Sequence, residues 1–162
     1  MIFFVFDLDD TLLFHQNNIH YNYICENVEL SYYLDKLQYP KYILTNGTNG
    51  HADLILTNMK IKDKFQTIYA RDTMEYNKPH PYSYKIVTDN IIQTNQEHFK
   101  GNHTKNIILF FDDLLENLQE ANNHNWITIW IHPNSHLSSQ YEYVDYAFPN
   151  ILTALIHFNK KR

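Results

Sequence analysis

Cysteine occurs once in the 162 residues, at Cys25. An internal disulfide is therefore excluded, and so is a zinc site built from several thiolates. A reducing, intracellular setting is the expectation. Long apolar runs are also missing. The N-terminal one is interrupted at Asp7, too early for a signal-peptide core with a cleavage site, and no stretch is long enough to span a bilayer. The sequence thus reads as soluble and cytoplasmic, with no membrane partner. Basic residues are few: 13 Lys and Arg against 18 Asp and Glu, a formal charge of -5. That argues against a nucleic-acid surface built on electrostatics and leaves room only for a small local patch. Internal repeats are absent. The ten histidines include no i, i+4 pair with a glutamate of the kind a zinc hydrolase uses, and His51, His124 and His157 read as ordinary surface or core residues. Glycine is scarce beside abundant Asn and Tyr, which bears on coding composition rather than on chemistry.

What is present is a globular composition, 44% hydrophobic and 15% aromatic, in a chain long enough for one domain and too short for two comfortable ones. Residues 1–162 are therefore read as a single domain. Its organising stretch is Met1-Ile2-Phe3-Phe4-Val5-Phe6-Asp7-Leu8-Asp9-Asp10-Thr11-Leu12. An unbroken apolar run that stops at acids predicts a buried parallel strand with carboxylates at its carboxyl end, where open α/β sheets bind ligands. Asp7 and Asp9 flank Leu8, so persisting strand geometry would put both acids on one side and the leucine on the other.

Further along, apolar spacing predicts a helix over 28–37, and Tyr42-Ile43-Leu44 reads as a second strand ending in Thr45-Asn46-Gly47. A helix is expected over 51–59, with Ala52, Leu54, Ile55 and Met59 as its apolar face. Thr67 to Ala70 reads as a third strand. In Lys78-Pro79-His80-Pro81 the two prolines forbid continuous helix and fix the backbone beside the lysine, before a helix over 84–92. The fourth apolar run, Asn106 to Phe111, stops at Asp112-Asp113. Ile127 to Ile131 and Val144 to Ala147 complete the strands, and a helix over 151–158 closes the chain. Leu13 to Asn27 has no clean period and reads as a loop or short hairpin. Strands alternating with helices predict a three-layer α/β domain around a mostly parallel sheet.

Asp7-Leu8-Asp9-Asp10-Thr11 resembles the Asp-x-Asp-x-Thr signature of the haloacid dehalogenase superfamily, whose members are mostly magnesium-dependent phosphotransferases on a Rossmann-like α/β/α core. Thr45-Asn46-Gly47, Lys78-Pro79-His80-Pro81 and Asp112-Asp113-Leu114-Leu115-Glu116-Asn117 with Ala121 resemble its remaining motifs, in the same order. The resemblance implies Asp7 as the nucleophile that forms an aspartyl phosphate. It implies Asp9 as the acid for the leaving alcohol and then the base for water. Thr45, with the backbone around Asn46 and Gly47, would hold phosphate oxygens, and Lys78 would pair with Asp7 and the phosphate. Magnesium would sit against Asp7, the backbone carbonyl of Asp9, and Asp113, with Asp112 as a further or water-mediated ligand. Leu114 stands where the family often has serine.

Four acids gathered at strand ends repel one another by roughly 4 kcal/mol per pair at about 4 Å in an effective dielectric near 20, so the cluster calls for a cation or shifted pKa values. Oxygen-only ligands suit magnesium. The superfamily's dehalogenases lack an acid two residues after the nucleophile, so Asp9 favours phosphoryl transfer. The motifs look most like the pyrimidine 5′-nucleotidase branch, which implies a small phosphomonoester such as a nucleoside monophosphate. Tyr21, Tyr23 or Phe14 would stack a base, and His15 and His20 are candidate substrate contacts. Between the first two motifs the chain is too short for the large helical cap of many relatives, so the cap is expected to be minimal or absent and the site open. An open site also suits phosphoprotein or nucleic-acid ends, or a small substrate enclosed by the second subunit of a homodimer. A non-catalytic phosphate-binding module is the remaining reading.

Overall fold

The computed structural model describes residues 1–14, 24–95 and 105–160. Its strands are β1 (Ile2–Phe6), β2 (Lys41–Leu44), β3 (Thr67–Tyr69), β4 (Ile107–Asp112), β5 (Ile127–Ile131) and β6 (Tyr146–Phe148). They form one sheet in the order β3-β2-β1-β4-β5-β6, and every neighbouring pair is parallel. The helices are α1 (Val28–Lys36), α2 (Asn49–Asn58), α3 (Pro81–Thr94), α4 (Leu115–Asn123) and α5 (Ile151–Lys160). Among the described residues no helix is long and apolar enough to cross a membrane.

Alternation along the central strands divides the core in two. Phe4, Phe6 and Leu8 point to one face, where they pack with Leu30 and Leu34 of α1, Ala52, Ile55 and Leu56 of α2, and Leu155 of α5. Phe3 and Val5 point to the other, against Tyr84, Val87 and Ile91 of α3 and Leu118 and Ala121 of α4. The result is the expected three-layer α/β/α arrangement, its sheet wholly parallel because each connection returns to the same end. Strands buried on both faces need no polar alternation, which is why β1 and β4 are continuous apolar runs. Their register sets Phe6 beside Phe111, with ring centroids 4.6 Å apart in a stacked pair.

Some elements depart from the sequence-based expectations. Leu54, expected on the apolar face of α2, is exposed, and Leu56 takes its place in the core. Val28, expected on the apolar face of α1, is also exposed at the first position of that helix. α3 begins at Pro81 rather than at Tyr84. Proline at the first helical position sacrifices no hydrogen bond, and His80 caps the helix by accepting from the Tyr82 N–H. The short last strand lies over Tyr146–Phe148, two residues beyond its expected start.

The described part of the connection between β1 and β2 contains a single helix, α1, and that helix lies on the sheet as part of the core, beside α5. It is a layer of the domain and does not cover the carboxyl ends of the strands. Residues 15–23, which include His15, His20, Tyr21 and Tyr23, lie outside the described residues.

Candidate active site

β1 and β4 are neighbours, but the chain leaves β1 toward β2 on one side and continues from β4 toward β5 on the other. A crevice opens at the carboxyl ends where the winding reverses, as in other doubly wound sheets. Because Phe6 pairs with Phe111, the next residues on both strands, Asp7 and Asp112, are brought side by side, and the Asp7 N–H donates to the Phe111 carbonyl at 2.8 Å. Thr45 enters from the end of β2 and Lys78 from the segment before α3. A cavity of about 200 Å³ at this point is lined by Asp7, Asp9, Asp10, Thr45, Asn46, Gly47, Lys78, Asp113, Leu114 and Asn117. The eight residues singled out from sequence therefore converge, seven on the wall of one cavity and Asp112 directly behind it.

Lys78 is the electrostatic centre of that wall. Its Nζ donates to Asp7 Oδ1 at 2.7 Å and to Asp112 Oδ2 at 2.6 Å, with its side chain 1% exposed. Asp112 is fully buried and held on both oxygens. Asn117 Nδ2 donates to each of them, at 3.0 and 3.1 Å, and the Leu114 N–H donates to Oδ1 at 2.8 Å. Burying a carboxylate costs less when its oxygens are supplied with donors in this way. Thr11 Oγ1 donates to Asp7 Oδ2 at 3.2 Å and lies 3.5 Å from Asp113 Oδ1, so it spans two of the acids that line the cavity. Trp130 Nε1 donates to the Asp113 carbonyl at 2.9 Å and anchors that backbone.

The balance of charge remains short of cations. Burial raises the Asp7 carboxyl to about 7; Lys78 opposes the rise, while Asp112 and Asp113 add to it. Burial likewise raises Asp113 to about 6, with further repulsion from Asp112 and Asp10. Burial alone would lower the Lys78 ammonium, but its two carboxylate partners outweigh that and hold it above its ordinary value. Among the described residues one lysine thus serves three clustered acids. Carboxylate oxygens from Asp7, Asp112 and Asp113 lie within 4.8 Å of one another, an all-oxygen donor set that fits a hard divalent cation. Asp112 accepts from Lys78, Asn117 and Leu114 and does not reach the cavity wall, whereas Asp7 and Asp113 line it, so Asp7 and Asp113 are the more available ligands.

The turn after β1 is tight. The N–H groups of Leu12 and Leu13 donate to the Leu8 carbonyl, Asp10 N–H donates to the Leu13 carbonyl, and Asp10 takes a φ of 58°. Aspartate tolerates this left-handed conformation better than most residues. Leu8 remains in the core while Asp7 and Asp9 both line the cavity, as strand alternation predicts.

The Thr45-Asn46-Gly47 corner is more specialised than its composition suggests. Thr45 Oγ1 accepts from the Gly47 N–H at 3.0 Å, closing the corner on itself. Asn46 turns its amide to the neighbouring segment: Nδ2 donates to the Lys78 carbonyl at 2.8 Å, and Oδ1 accepts from the Lys78 N–H at 3.0 Å. A Cβ on Gly47 would lie 2.8 Å from His51 Cδ2 and 3.3 Å from Thr45 Oγ1, so a side chain there would have to displace the His51 ring.

Three contributors have no role in the sequence reading. Asn117 and Thr11 belong to the quoted motifs and prove to be hydrogen-bond partners of the acids. His51, read there as an ordinary surface or core residue, places Nε2 3.0 Å from both oxygens of Asp9. Its place in the first turn of α2, just beyond the Thr45 corner, hints at the neighbourhood but not at the partner. His124 and His157 stay away from the cavity, against Tyr84 and Phe148. Phe14 is exposed and lines a separate, larger depression of about 610 Å³ beside the turn.

The comparisons with known proteins agree with this architecture. The chain resembles the L-2-haloacid dehalogenase of Xanthobacter autotrophicus at 17% identity and a TM-score of 0.61, over 88% of this chain and 64% of that one. A predicted phosphoglycolate phosphatase of Haemophilus somnus superposes with a TM-score of 0.61 at 18% identity, over 81% and 56%. The HAD-type hydrolase YfnB of Bacillus subtilis, bound to magnesium, gives 0.57 at 20%, over 77% and 50%. The chain thus spans between half and two thirds of the length of these structures. At such identities they speak to the fold. No curated protein matches the chain in sequence. The family model for haloacid dehalogenase-like hydrolases matches residues 14–131, most of the chain, and on that match the protein belongs to the haloacid dehalogenase-like hydrolase family.

Proposed function

We propose that this hydrolase is a magnesium-dependent phosphomonoesterase working through an aspartyl phosphate on Asp7. The observation that carries the reading is the pair of carboxylates, Asp7 and Asp9, on one cavity wall with different surroundings. Asp7 is buried against Lys78 and Thr11, while Asp9 is partly exposed and touches His51. Such a division suits one acid to attack and the other to proton transfer. The solved relatives include both dehalogenases and a predicted phosphatase; Asp9, two residues after the nucleophile, favours the phosphatase.

In the first half-reaction a carboxylate oxygen of Asp7 attacks phosphorus, the bond to the ester oxygen breaks, and Asp9 gives its proton to the departing alkoxide. In the second, Asp9 takes a proton from water, the water oxygen attacks phosphorus, and the bond to Asp7 breaks, returning the carboxylate and releasing inorganic phosphate. Lys78 keeps Asp7 oriented and supplies positive charge beside the developing phosphoryl oxygens. Thr45 and the backbone of Asn46 and Gly47 form the other side of the phosphate site. Asp7, Asp113 and the Asp9 carbonyl would hold magnesium, with Asp112 behind them, and the ion would neutralise charge as one anion approaches another.

A small phosphomonoester, with nucleoside monophosphates as the leading class on the strength of the motif resemblance, is the proposed substrate, and a second copy of the chain is the proposed cover for the cavity. The cytoplasm is the proposed location, in keeping with the single cysteine. One feature favours a second substrate class: α1 lies within the core and leaves the strand ends uncovered by it, an arrangement open to a phosphoprotein or a phosphorylated nucleic-acid end.

The deciding experiment measures inorganic phosphate released from nucleotides, sugar phosphates, phosphopeptides and end-phosphorylated oligonucleotides, with and without magnesium, beside the Asp7→Asn variant. Magnesium-dependent release, lost in the variant, is expected. Equal release from the variant would overturn the nucleophile, and release unchanged by removing magnesium would overturn the metal.

A further inference from the structure

His51 touches an acid of the cavity, and the proposed reaction gives it no part. Its Nε2 is 3.0 Å from Asp9 Oδ1 and 3.0 Å from Asp9 Oδ2. Two local devices serve this contact. The Thr48 hydroxyl accepts from the His51 N–H at 3.2 Å and so fixes the first turn of α2. The missing side chain of Gly47 clears the space, since a Cβ there would press on His51 Cδ2 at 2.8 Å and stand 3.6 Å from Asp9 Oδ2. The imidazole and the carboxylate are therefore brought together by a capped helix on one side and a glycine on the other.

Asp9 is the more exposed of the two acids. Asp7 is locked by Lys78 and Thr11, whereas the Asp9 side chain is 31% exposed. A partly exposed carboxylate on a fixed backbone still has its side-chain rotations, and proton transfer to a leaving oxygen demands a particular one. A ring nitrogen set symmetrically against both oxygens restricts that rotation, and the carboxylate still lines the cavity.

We infer that His51 is a positioning residue for Asp9, holding its carboxylate in the orientation from which it protonates the leaving group. The inference rests on the phosphomonoesterase reading. It makes a claim about leaving groups: an alkyl phosphate, whose alkoxide departs poorly, depends on the acid, and p-nitrophenyl phosphate, whose phenolate departs unprotonated, depends on it little.

The test compares kcat/KM, which reports steps up to formation of the aspartyl phosphate, for both esters with wild type, His51→Ala and His51→Gln. His51→Ala should lower kcat/KM for the alkyl ester by about 10- to 100-fold and change the aryl ester far less. His51→Gln, whose amide nitrogen can reach the position of Nε2, should recover most of the loss. Equal losses on the two esters, or no rescue by glutamine, would reduce His51 to a structural role and overturn the inference. A second arm needs no turnover: in magnesium-free protein the ring resonances of His51 should move in Asp9→Asn, and unmoved resonances would remove the contact itself. Wild type that hydrolyses neither ester, with the ring resonances moving, would defeat the phosphatase reading and leave the contact standing.

Discussion

Asn46 clamps the backbone of Lys78 with two hydrogen bonds, its Nδ2 donating to the Lys78 carbonyl at 2.8 Å and its Oδ1 accepting from the Lys78 N–H at 3.0 Å. A side chain from the end of β2 thereby fixes the segment that delivers the ammonium to Asp7 and Asp112. This gives Asn46 a task distinct from the substrate contact expected of it. Asn46→Ala should cost about 0.5–1.5 kcal/mol of stability, since the part-buried N–H and carbonyl of Lys78 lose their partners. It should also lower kcat by roughly 10- to 100-fold through misplacement of Lys78, with KM little changed. Steady-state kinetics and urea unfolding check both effects. A raised KM at constant kcat would instead mark a direct substrate contact.

Asp7→Asn should abolish turnover, by roughly 10³-fold or more, because the amide is no nucleophile toward phosphorus. The fold should survive, with stability within about 1 kcal/mol of wild type, since a neutral group of the same shape relieves repulsion from Asp112 and Asp113. Phosphate release and thermal unfolding on the same preparation separate lost chemistry from lost structure.

Removing Lys78 is expected to behave differently. In Lys78→Met the buried Asp112 and Asp7 carboxylates lose their shared cation, and breaking a buried pair in this way costs about 3–5 kcal/mol. Denaturant unfolding should show that loss alongside the loss of activity. A variant as stable as wild type would mean that the acids find compensation elsewhere.

Acidity and magnesium should be linked through Asp7 and Asp113. Both carboxyls are raised in the folded protein, to about 7 and about 6, above the ordinary value of 3.8. The folded state therefore holds protons that the unfolded state has released, and the contribution of these acids to stability falls as pH rises from about 4 toward 7. A cation relieves the same repulsion. The gain in melting temperature on adding magnesium should be small at pH 5 and should grow through pH 6–7 to a plateau. In Asp113→Asn that gain should shrink at every pH. Melting curves with magnesium or with a chelator read this directly, and a gain independent of pH would place the ion elsewhere.

Leu114 heads α4 with an extended backbone and no side-chain cap, and it is half exposed. Leu114→Ser supplies the missing acceptor to the first turn while forfeiting little burial. A stabilisation of about 0.5–2 kcal/mol is expected in urea unfolding. No gain would mean that the N–H groups of that turn are already satisfied.

How much of this protein could be read from its residues depends on the range of the interactions concerned. Apolar runs ending in acids determined the parallel strands and the placement of Asp7, Asp112 and Asp113 at their carboxyl ends, because burial on both faces of a sheet writes itself into consecutive residues. The prolines around Lys78 and the order of the motifs were equally local, and they pointed to the family and to most of the cavity wall. Helix boundaries were less secure: Pro81 starts α3 because its missing N–H costs nothing at that position, and Leu54 and Leu56 are separated only by which side of α2 meets the sheet.

Tertiary structure alone decided who pairs with whom. Whether Lys78 meets one acid or two depends on the register between β1 and β4, which sets Asp7 beside Asp112 across more than a hundred residues of chain. The Asn46 clamp and the contact between His51 and Asp9 depend on corners of separate strands arriving within hydrogen-bonding distance. No spacing in the sequence encodes such a meeting, since it is created by the packing of the sheet and its helices. That is why nothing local marks His51 as the neighbour of Asp9: the first turn of α2 meets the loop that carries Asp9 only in the folded chain.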